Sequence, residues 1–299
     1  MAVGAHRYLI IGGTTKAGTT SIYNYLSAHP QVSASYRKEV NYFLDPEFEG
    51  PSIHRYEDGI ETYGKNFDPS ENAKLYLEAS PDYLYSSGTP AKIKDALPYA
   101  KLVFILREPY SRLLSWYKFA RQTGLIGDIS ASDFISEQLQ GHGDDLPSYL
   151  EQGLYSKYLA RYYDVFPASR IKVVFFEELM QDPKALSMDI CTYAGISPDY
   201  FDDYEFTVSN KSLNMRSVKI HKLYIAIRRQ ISLKIPRCYF FLRKAWQHIK
   251  PFYMRLNSTK DQELVLSAAL KKKVVDYYAN EYKELEALLG REVPWYLES

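Results

Sequence analysis

A lysine and five hydroxyl side chains lie among three glycines near the N-terminus, a combination typical of an anion-binding site. The stretch reads Gly12-Gly13-Thr14-Thr15-Lys16-Ala17-Gly18-Thr19-Thr20-Ser21. Glycine lets the backbone approach an anion closely, and Lys16 adds a full positive charge. At the start of a helix, free N–H groups and the dipole also favour negative charge. We interpret Lys16 to Ser21 as a phosphate-binding loop; a tight turn with a surface lysine is the alternative.

The position of the lysine separates this loop from the loop of nucleotide triphosphatases. That loop reads G-x-x-x-x-G-K-[ST], with the lysine directly after the second glycine. Here Lys16 precedes Gly18 by two positions, and Thr19 occupies the usual place of the lysine. The displaced lysine disfavours a P-loop nucleotide kinase, which stays the alternative enzyme.

A second cation follows the next strongly apolar run. Leu102 to Leu106 is continuously apolar and predicts a buried parallel strand, with Arg107 at its carboxyl end. Ser111 is expected to cap a helix that brings Ser115 back above the strand end. A guanidinium and a hydroxyl together suit a phosphate monoester. The alternative is an ion pair between Arg107 and Glu108.

Two strand–turn–helix units must position these residues. The apolar run Tyr8 to Ile11 predicts a first strand buried on both faces. Ile22, Tyr25 and Leu26 recur at helical spacing, which predicts a helix that begins near Thr19 or Thr20.

Both units resemble motifs of the sulfotransferases that use 3′-phosphoadenosine 5′-phosphosulfate (PAPS). K-x-G-T-T-S resembles their 5′-phosphosulfate loop, and Arg107 to Ser115 matches their 3′-phosphate motif Arg-(Asp/Glu)-Pro-x-x-Arg-x-x-Ser. The resemblance implies PAPS as co-substrate, 3′,5′-adenosine diphosphate as product and no metal. It also implies that Lys16 is catalytic and that Arg107 and Ser115 bind the 3′-phosphate.

A carboxylate between basic residues could supply the base. Alone, Lys38-Glu39-Val40-Asn41-Tyr42-Phe43 would be interpreted as a solvated charge cluster. It resembles a segment of heparan-sulfate-type sulfotransferases in which the glutamate takes the proton from the acceptor hydroxyl, and the matching residue is Glu39. Asn41 replaces a histidine that is frequent in that family. Glu78 to Tyr83 resembles a segment beside the acceptor, with Ala79 where animal members often carry lysine.

The remaining pattern predicts an α/β fold. We expect a P-loop-like doubly wound parallel sheet flanked by helices, in one domain over residues 1–299. The further elements expected are a loop over Gly124–Leu146, a helix over Ser148–Phe166, a strand over Arg170–Leu179, a helix capped by Asp182 that ends at Gly195, and two helices over Asp261–Leu289.

We expect residues 206–260 to form a basic helical insertion near the C-terminus. They include thirteen Lys or Arg and no Asp or Glu. Family members close a basic loop over the adenosine and 3′-phosphate in this region, so Lys211, Ser212 and Arg216 are candidate nucleotide-binding residues. For 220–251, three interpretations stay open: a wall for an anionic polymer, a membrane-surface hairpin, or ordinary helices with cations lying over an apolar core.

The composition of the chain limits the partners and the cellular compartment that we expect. The net charge of +1 gives no indication of a nucleic-acid partner, and two cysteines cannot form a disulfide framework. No His or Cys cluster suggests a metal. No signal peptide and no run of 18 apolar residues is present, so we expect a cytoplasmic protein. The membrane-surface interpretation of 220–251 would place it at the inner membrane face.

The sequence thus predicts transfer of a sulfuryl group from PAPS to an acceptor hydroxyl, with Glu39 as the base and a saccharide or polysaccharide as the acceptor. The alternatives are a P-loop nucleotide kinase and a non-catalytic nucleotide-binding protein.

Overall fold

Five parallel strands form the central sheet. They are β1 (Tyr8–Gly13), β2 (Val32–Ala34), β3 (Leu75–Ala79), β4 (Lys101–Leu106) and β5 (Ile171–Phe175), and they lie side by side in the order β2-β3-β1-β4-β5. This computed structural model describes residues 7–48, 52–68, 73–127, 129–141, 147–207, 214–215, 253, 258–259, 264 and 266–295.

Helices cover both faces of the sheet. They are α1 (Thr19–Ser27), α2 (Ile60–Gly64), α3 (Thr89–Ala96), α4 (Pro109–Thr123), α5 (Ala131–Gln140), α6 (Tyr155–Tyr163), α7 (Phe176–Gln181), α8 (Pro183–Ala194), α9 (Ala268–Tyr277) and α10 (Glu281–Leu289). Short 3-10 turns lie at Tyr56–Asp58, Pro81–Leu84, Glu151–Gly153, Ala168–Arg170 and Asp199–Phe201. Two short strands, β6 (Asn214–Met215) and β7 (Ser258–Thr259), pair antiparallel. The predicted α/β fold with a doubly wound sheet is confirmed.

The apolar runs became strands because both of their faces are buried. Successive side chains of a strand point to opposite faces. In β1, Tyr8 and Ile10 therefore enter the core that also contains α6 and α10, whereas Leu9 and Ile11 enter the core against α1 and α8. All six residues of β1 are buried, as the unbroken apolar run predicted.

The strand order brings the two predicted phosphate segments together. β1 lies between β3 and β4, and Ile10 is paired with Glu78 on one side and with Leu102 on the other. The chain winds from β1 towards β2 and β3 and then returns to β4 across β1. Open α/β sheets bind ligands in the crevice at such a reversal, outside the carboxyl ends of the strands. The starts of α1 and α4 lie at this edge of the sheet.

One helix cap differs from the prediction, and another is confirmed. Glu108, and not Ser111, caps α4, because its carboxylate accepts the N–H groups of Tyr110 (2.9 Å) and Ser111 (2.6 Å). Pro109 then occupies the first helical position. The Asp182 cap of α8 is confirmed by its bond from the N–H of Ala185, at 2.9 Å.

The prediction of a loop over residues 124–146 was wrong for the centre of that range. Helix α5 forms there because Ser130 caps it and Phe134 and Ile135 pack into a third core beside α4 and α9. The helix predicted over Ser148–Phe166 is shorter, since a 3-10 turn precedes α6. The two predicted C-terminal helices are present as α9 and α10.

The C-terminal residues from α10 onward form hydrogen bonds with α6 and with the residues that follow β4 and β5. Glu281 at the start of α10 accepts bonds from the N–H (2.8 Å) and the hydroxyl (2.7 Å) of Ser156 in α6. The hydroxyl of Tyr282 donates to Glu108 at 3.0 Å, and the indole of Trp295 donates to Glu177 at 2.9 Å. These bonds fix the helix starts that follow β4 and β5.

The outer edge of β5 is bonded to an arginine. The guanidinium of Arg291 donates to the carbonyl oxygen of Val173 at 2.8 Å and pairs with Glu178 at 3.0 Å. Lys172, also on β5, pairs with Asp189 at 2.7 Å.

Within the described ranges, no helix has the length and apolar character needed to cross a membrane. Of the basic segment 206–260, only residues 206–207, 214–215, 253 and 258–259 belong to those ranges. The predicted helical insertion and the three interpretations of 220–251 therefore lie outside the described residues. The prediction of one domain stays a prediction.

Glu281 should make the fold less stable as pH rises. Burial, its largest influence, raises the pKa of this carboxyl from 4.5 to about 7, so the folded chain binds the proton more tightly than the unfolded chain. Below pH 4.5 the bound proton stabilises the folded state by about 3 kcal/mol. This stabilisation is lost as pH rises through about 7. We expect wild-type Tm, relative to Glu281→Gln, to fall by about 5 °C or more between pH 5 and pH 8. Parallel Tm curves for the two proteins would contradict this assignment.

Candidate functional site

The predicted phosphate loop connects β1 to α1. The N–H groups of Ser21 and Ile22 donate to the carbonyl of Gly18, at 2.9 and 3.3 Å, so the hydrogen bonding of α1 starts there. The N–H groups just before belong to the first turn, where a helix supplies no acceptor. Gly18 has φ 94°, and a Cβ at this position would lie 2.8 Å from Leu179. Glycine is required both for the backbone conformation and for the close packing of α7.

Lys16 lies in this loop as a cation that is poorly solvated. Its φ of 72° is uncommon for a residue with a side chain, and its ammonium group lies 4.4 Å from the ring centre of Phe119 in α4. Burial, and then the charges of Arg107 and Lys38, lower the pKa of Lys16 to about 8. A bound anion would compensate for the lost solvation of Lys16 and for its repulsion by the neighbouring cations. The residues present therefore fit a phosphate group.

Arg107 extends from the end of β4 to the same loop. Its guanidinium donates to the carbonyl oxygen of Lys16 at 3.3 Å and lies 4.5 Å from the ring centre of Phe176. Burial lowers the pKa of Arg107, and the carboxylate of Glu177 opposes that shift. Two cations from different strands therefore converge at one point.

The alternative ion pair of Arg107 with Glu108 does not form. Within the described ranges, no salt bridge joins the two side chains, because Glu108 is committed to capping α4 and to the Tyr282 hydroxyl. Ser115 lies half-buried in the second turn of α4. The structure brings Arg107 to the loop; a phosphate contact by Ser115 stays a prediction.

The hydroxyl residues of the loop differ in exposure. Thr19 and Ser21 are buried, together with Ala17, whereas Thr20 is half-buried at the helix start. Contacts by Lys16, Ala17, Gly18, Thr19, Thr20 and Ser21 with a nucleotide stay predictions, although their backbone lies where an anion is expected. Lys211, Ser212 and Arg216 lie outside the described residues.

Glu39 lies on the opposite side of this crevice. Its side chain is 53% exposed, and its carboxylate forms an ion pair of 2.7 Å with the less exposed Lys38. Its backbone N–H donates to the carbonyl of Ala79, at the end of β3, at 2.8 Å, and its φ is 67°. Because Lys38 also lowers the pKa of Lys16, the exposed carboxylate and the phosphate loop belong to one electrostatic cluster.

Asp82 is a site residue that sequence reasoning missed. It accepts a bond from the hydroxyl of Thr15 in the phosphate loop at 3.0 Å. Burial raises the pKa of Asp82, and the charge of Glu39 raises it further. Asp82 therefore contacts the loop and lies close enough to Glu39 to be affected by its charge. Its position one residue after Pro81, where β3 has ended at the same sheet edge, was the available signal.

The end of β5 supplies further residues that were missed. Phe176 lies against the Arg107 guanidinium and, with Leu179, against Gly18. The N–H of Glu108 donates to the Glu177 carboxylate at 3.2 Å. These residues directly follow a buried strand, so their presence at this edge could have been expected from the parallel sheet alone.

In the part of the chain that the structure describes, no three His, Cys, Asp or Glu side chains are grouped as metal ligands. A groove of about 600 Å³ runs beside β5, but it is lined by residues such as Lys172, Asp189 and Arg291 rather than by the phosphate loop. The site is therefore identified by its convergent charges.

Comparison with known proteins gives a family match over most of the chain. A family model described as "Sulfotransferase domain" matches residues 6–252. Bifunctional heparan sulfate N-deacetylase/N-sulfotransferase 2 from Homo sapiens is 30% identical over 202 residues, which are 64% of this chain and 22% of that protein. Membrane-associated sulfotransferase kil1 from Dictyostelium discoideum is 39% identical over 116 residues, 38% of this chain and 23% of that protein. The chain thus matches less than a quarter of the length of these relatives.

A solved structure extends the similarity to the fold. The sulfotransferase from Alicyclobacillus acidocaldarius is similar over 95% of this chain and 96% of that chain, with a TM-score of 0.66 and 23% sequence identity. At this identity the similarity supports the fold alone.

The lowered pKa of Lys16 should make anion binding depend on pH. The anion favours the charged ammonium, which is lost as pH rises through about 8. We therefore expect the affinity for 3′,5′-adenosine diphosphate to fall by up to about tenfold between pH 8 and pH 9.5. Lys16→Arg keeps its charge in this range and should bind with little pH dependence. Titration calorimetry of both proteins measures the difference, and equally flat wild-type binding would rule out the role of Lys16.

Proposed function

Because the chain belongs to the sulfotransferase domain family, we propose that it transfers a sulfuryl group from PAPS to a carbohydrate hydroxyl. The single observation that supports this proposal best is the convergence of Lys16 and Arg107 at the carboxyl ends of β1 and β4, with Glu39 across the same crevice. Two cations suit an anionic donor, and an exposed carboxylate opposite them suits a base.

In this proposal the phosphate loop holds the 5′-phosphosulfate end of PAPS. Lys16 and the N–H groups at the start of α1 stabilise the negative charge that develops on the departing phosphate oxygen, and the Thr19 and Thr20 side chains assist. Arg107 and Ser115 bind the 3′-phosphate, and Lys211, Ser212 and Arg216 close over the adenosine. Fixing both ends of the nucleotide aligns its sulfur with the acceptor.

The reaction is an in-line displacement at sulfur. The acceptor oxygen forms a bond to sulfur while the bond from sulfur to the 5′-phosphate oxygen breaks, and 3′,5′-adenosine diphosphate leaves with the electron pair. Glu39 takes the proton of the acceptor hydroxyl. Its exposure and its position beside the phosphate loop support this role, because a base must reach a substrate that arrives from solvent. Lys38 holds the Glu39 carboxylate until the acceptor enters.

A carbohydrate acceptor is supported by the name of the human relative, which specifies N-sulfation of heparan sulfate. An amine and a hydroxyl must each lose a proton on sulfation, so one carboxylate serves either nucleophile; we propose a hydroxyl because every saccharide carries them. The cation-rich segment 206–260 supports an acidic polysaccharide as the partner. A membrane-surface role of 220–251 is the alternative for that segment.

Arg107 should be required for nucleotide binding. We expect 3′,5′-adenosine diphosphate to raise wild-type Tm without magnesium, because the ligand binds only the folded state. Arg107→Ala should lose most of this shift, since a phosphate then lacks its bidentate partner. Thermal denaturation with and without the nucleotide measures it.

Arg291→Ala provides a matched control. Arg291 also lies 4.5 Å from the ring centre of a phenylalanine, Phe175, but it pairs with Glu178 beside β5. Its variant should keep the nucleotide-induced shift. An unchanged shift in Arg107→Ala would remove Arg107 from the phosphate site, and a strict magnesium requirement would favour a kinase.

Glu39 should be required for turnover but not for nucleotide binding. Glu39→Gln keeps the size of the side chain and removes its basicity, so kcat should fall by on the order of a hundredfold. The affinity for 3′,5′-adenosine diphosphate should stay within about twofold, because Glu39 faces the acceptor side. Mass spectrometry of glycans incubated with PAPS measures product formation.

Glu57→Gln serves as the control, since Glu57 is an exposed glutamate paired with Lys92 at 3.7 Å. It should keep wild-type turnover. If Glu39→Gln stays within severalfold of wild type while Asp82→Asn loses turnover, then Asp82 is the base and the assignment of Glu39 is wrong.

A further inference from the structure

Residues Glu39 to Asp45 are called here the Glu39 segment. The N–H groups of alternate residues in this segment donate hydrogen bonds to the segment from Ala79 to Ser86. Only the first of these bonds ends on a backbone carbonyl; the others end on side-chain hydroxyls. The four N–H groups and their acceptors are Glu39 to Ala79 O (2.8 Å), Asn41 to Ser80 Oγ (3.0 Å), Phe43 to Tyr83 Oη (3.3 Å) and Asp45 to Ser86 Oγ (3.0 Å).

A hydroxyl that accepts an N–H must donate its own hydrogen elsewhere. Ser80 donates to Glu78 at 3.0 Å, and Tyr83 donates to the two oxygens of Glu78 at 3.2 and 3.3 Å. Glu78 thereby turns the lone pairs of both hydroxyls towards the Glu39 segment. One buried carboxylate thus orients two of the three hydroxyl acceptors.

Glu78 is balanced by hydroxyl groups rather than by a cation. It lies on β3, only 1% exposed, and also accepts a bond of 2.8 Å from Tyr63 in α2. Throughout the described ranges, no lysine or arginine forms an ion pair with it. Burial, the largest influence, raises the pKa values of Tyr8 on β1 and of Tyr23 on α1, and the charge of Glu78 raises both further. The hydroxyl donors are therefore the groups that satisfy this carboxylate.

The Glu39 segment needs such restraint because its backbone is strained. Glu39 and Asn41 have φ of 67° and 56°, in the left-handed region that favours glycine. Such conformations cost free energy and persist only where surrounding bonds determine them. The hydrogen-bonded N–H of Asn41 lies within this strained stretch, and that of Phe43 lies two residues after it.

We propose that Ser80 and Tyr83, oriented by Glu78, are positioning residues that hold Glu39 at the site of proton transfer. The inference rests on the proposed function, in which Glu39 is the base. It explains how the buried carboxylate of Glu78 positions the exposed carboxylate of Glu39 without direct contact between them.

A comparison of Tyr83→Phe with Tyr63→Phe tests the proposal. Both tyrosines are fully buried and both donate to Glu78, but only Tyr83 also accepts an N–H from the Glu39 segment. Phenylalanine keeps the ring packing of each against Phe43. Tyr83→Phe should lower kcat by on the order of tenfold, with the KM for PAPS within twofold, because a small misplacement of a catalytic group is costly. Tyr63→Phe should stay within about twofold of wild type.

Amide hydrogen exchange gives a second measurement that needs no turnover. We expect the Phe43 amide to exchange at least tenfold faster in Tyr83→Phe than in Tyr63→Phe, and the Asn41 amide to respond in the same way in Ser80→Ala. Equal kcat in the two tyrosine variants, or faster exchange in Tyr83→Phe without loss of kcat, would overturn the positioning role. Absence of any sulfated product from the wild-type protein would instead count against the proposed function, while the exchange rates would still test the hydrogen-bond network.

Discussion

The mutual repulsion of poorly solvated cations is the constraint on which the site depends. Lys16 and Arg107 converge from two strands, and Lys38 adds a third positive charge from the acceptor side. Cations are rarely held together in a partly desolvated place unless something compensates. Here the compensation is distributed: the rings of Phe119 and Phe176, a backbone carbonyl and nearby carboxylates each contribute a small attraction. The remaining positive potential favours a dianionic ligand.

The two sides of the crevice are built on different principles. The phosphate side uses backbone groups, a glycine and a helix start, so its geometry follows from the central position of β1. Among the described residues, the side that carries Glu39 has no helix or strand between β2 and the 3-10 turn at Tyr56–Asp58. It is instead fixed by hydroxyl groups that follow β3, and Asp45 repeats the arrangement at its far end, where it accepts from Ser86 at 2.7 Å and pairs with Lys92 at 3.0 Å.

The sequence predicted the sheet and the cationic residues because both leave local signals. Buried parallel strands appear as unbroken apolar runs. Arg107 directly follows one of them, and Lys16 lies in the glycine-rich loop after another. The placement of Lys38 depends on backbone conformation and on contacts distant in the chain, so no local pattern contains it. Asp82 had a local signal in its position just after β3, but its contact with the phosphate loop joins residues far apart in the chain. The cap by Glu108 rather than Ser111 was missed for a related reason. Both residues can cap a helix, and the bond from Tyr282, far along the chain, stabilises the carboxylate in that place. Helix α5 was not predicted because the sequence on both of its sides is rich in glycine and aspartate.

The strand order has a consequence for solubility. Putting β1 in the centre leaves β2 and β5 as the two borders of the sheet, where unpaired backbone groups invite strand addition from other molecules. β2 offers only three residues. On β5, the guanidinium of Arg291 covers the carbonyl oxygen of Val173, and the charge of Lys172 would have to be desolvated by an incoming strand. The strand order that places the ends of β1 and β4 side by side therefore also leaves sheet borders that are short or charged, which disfavours edge-to-edge aggregation.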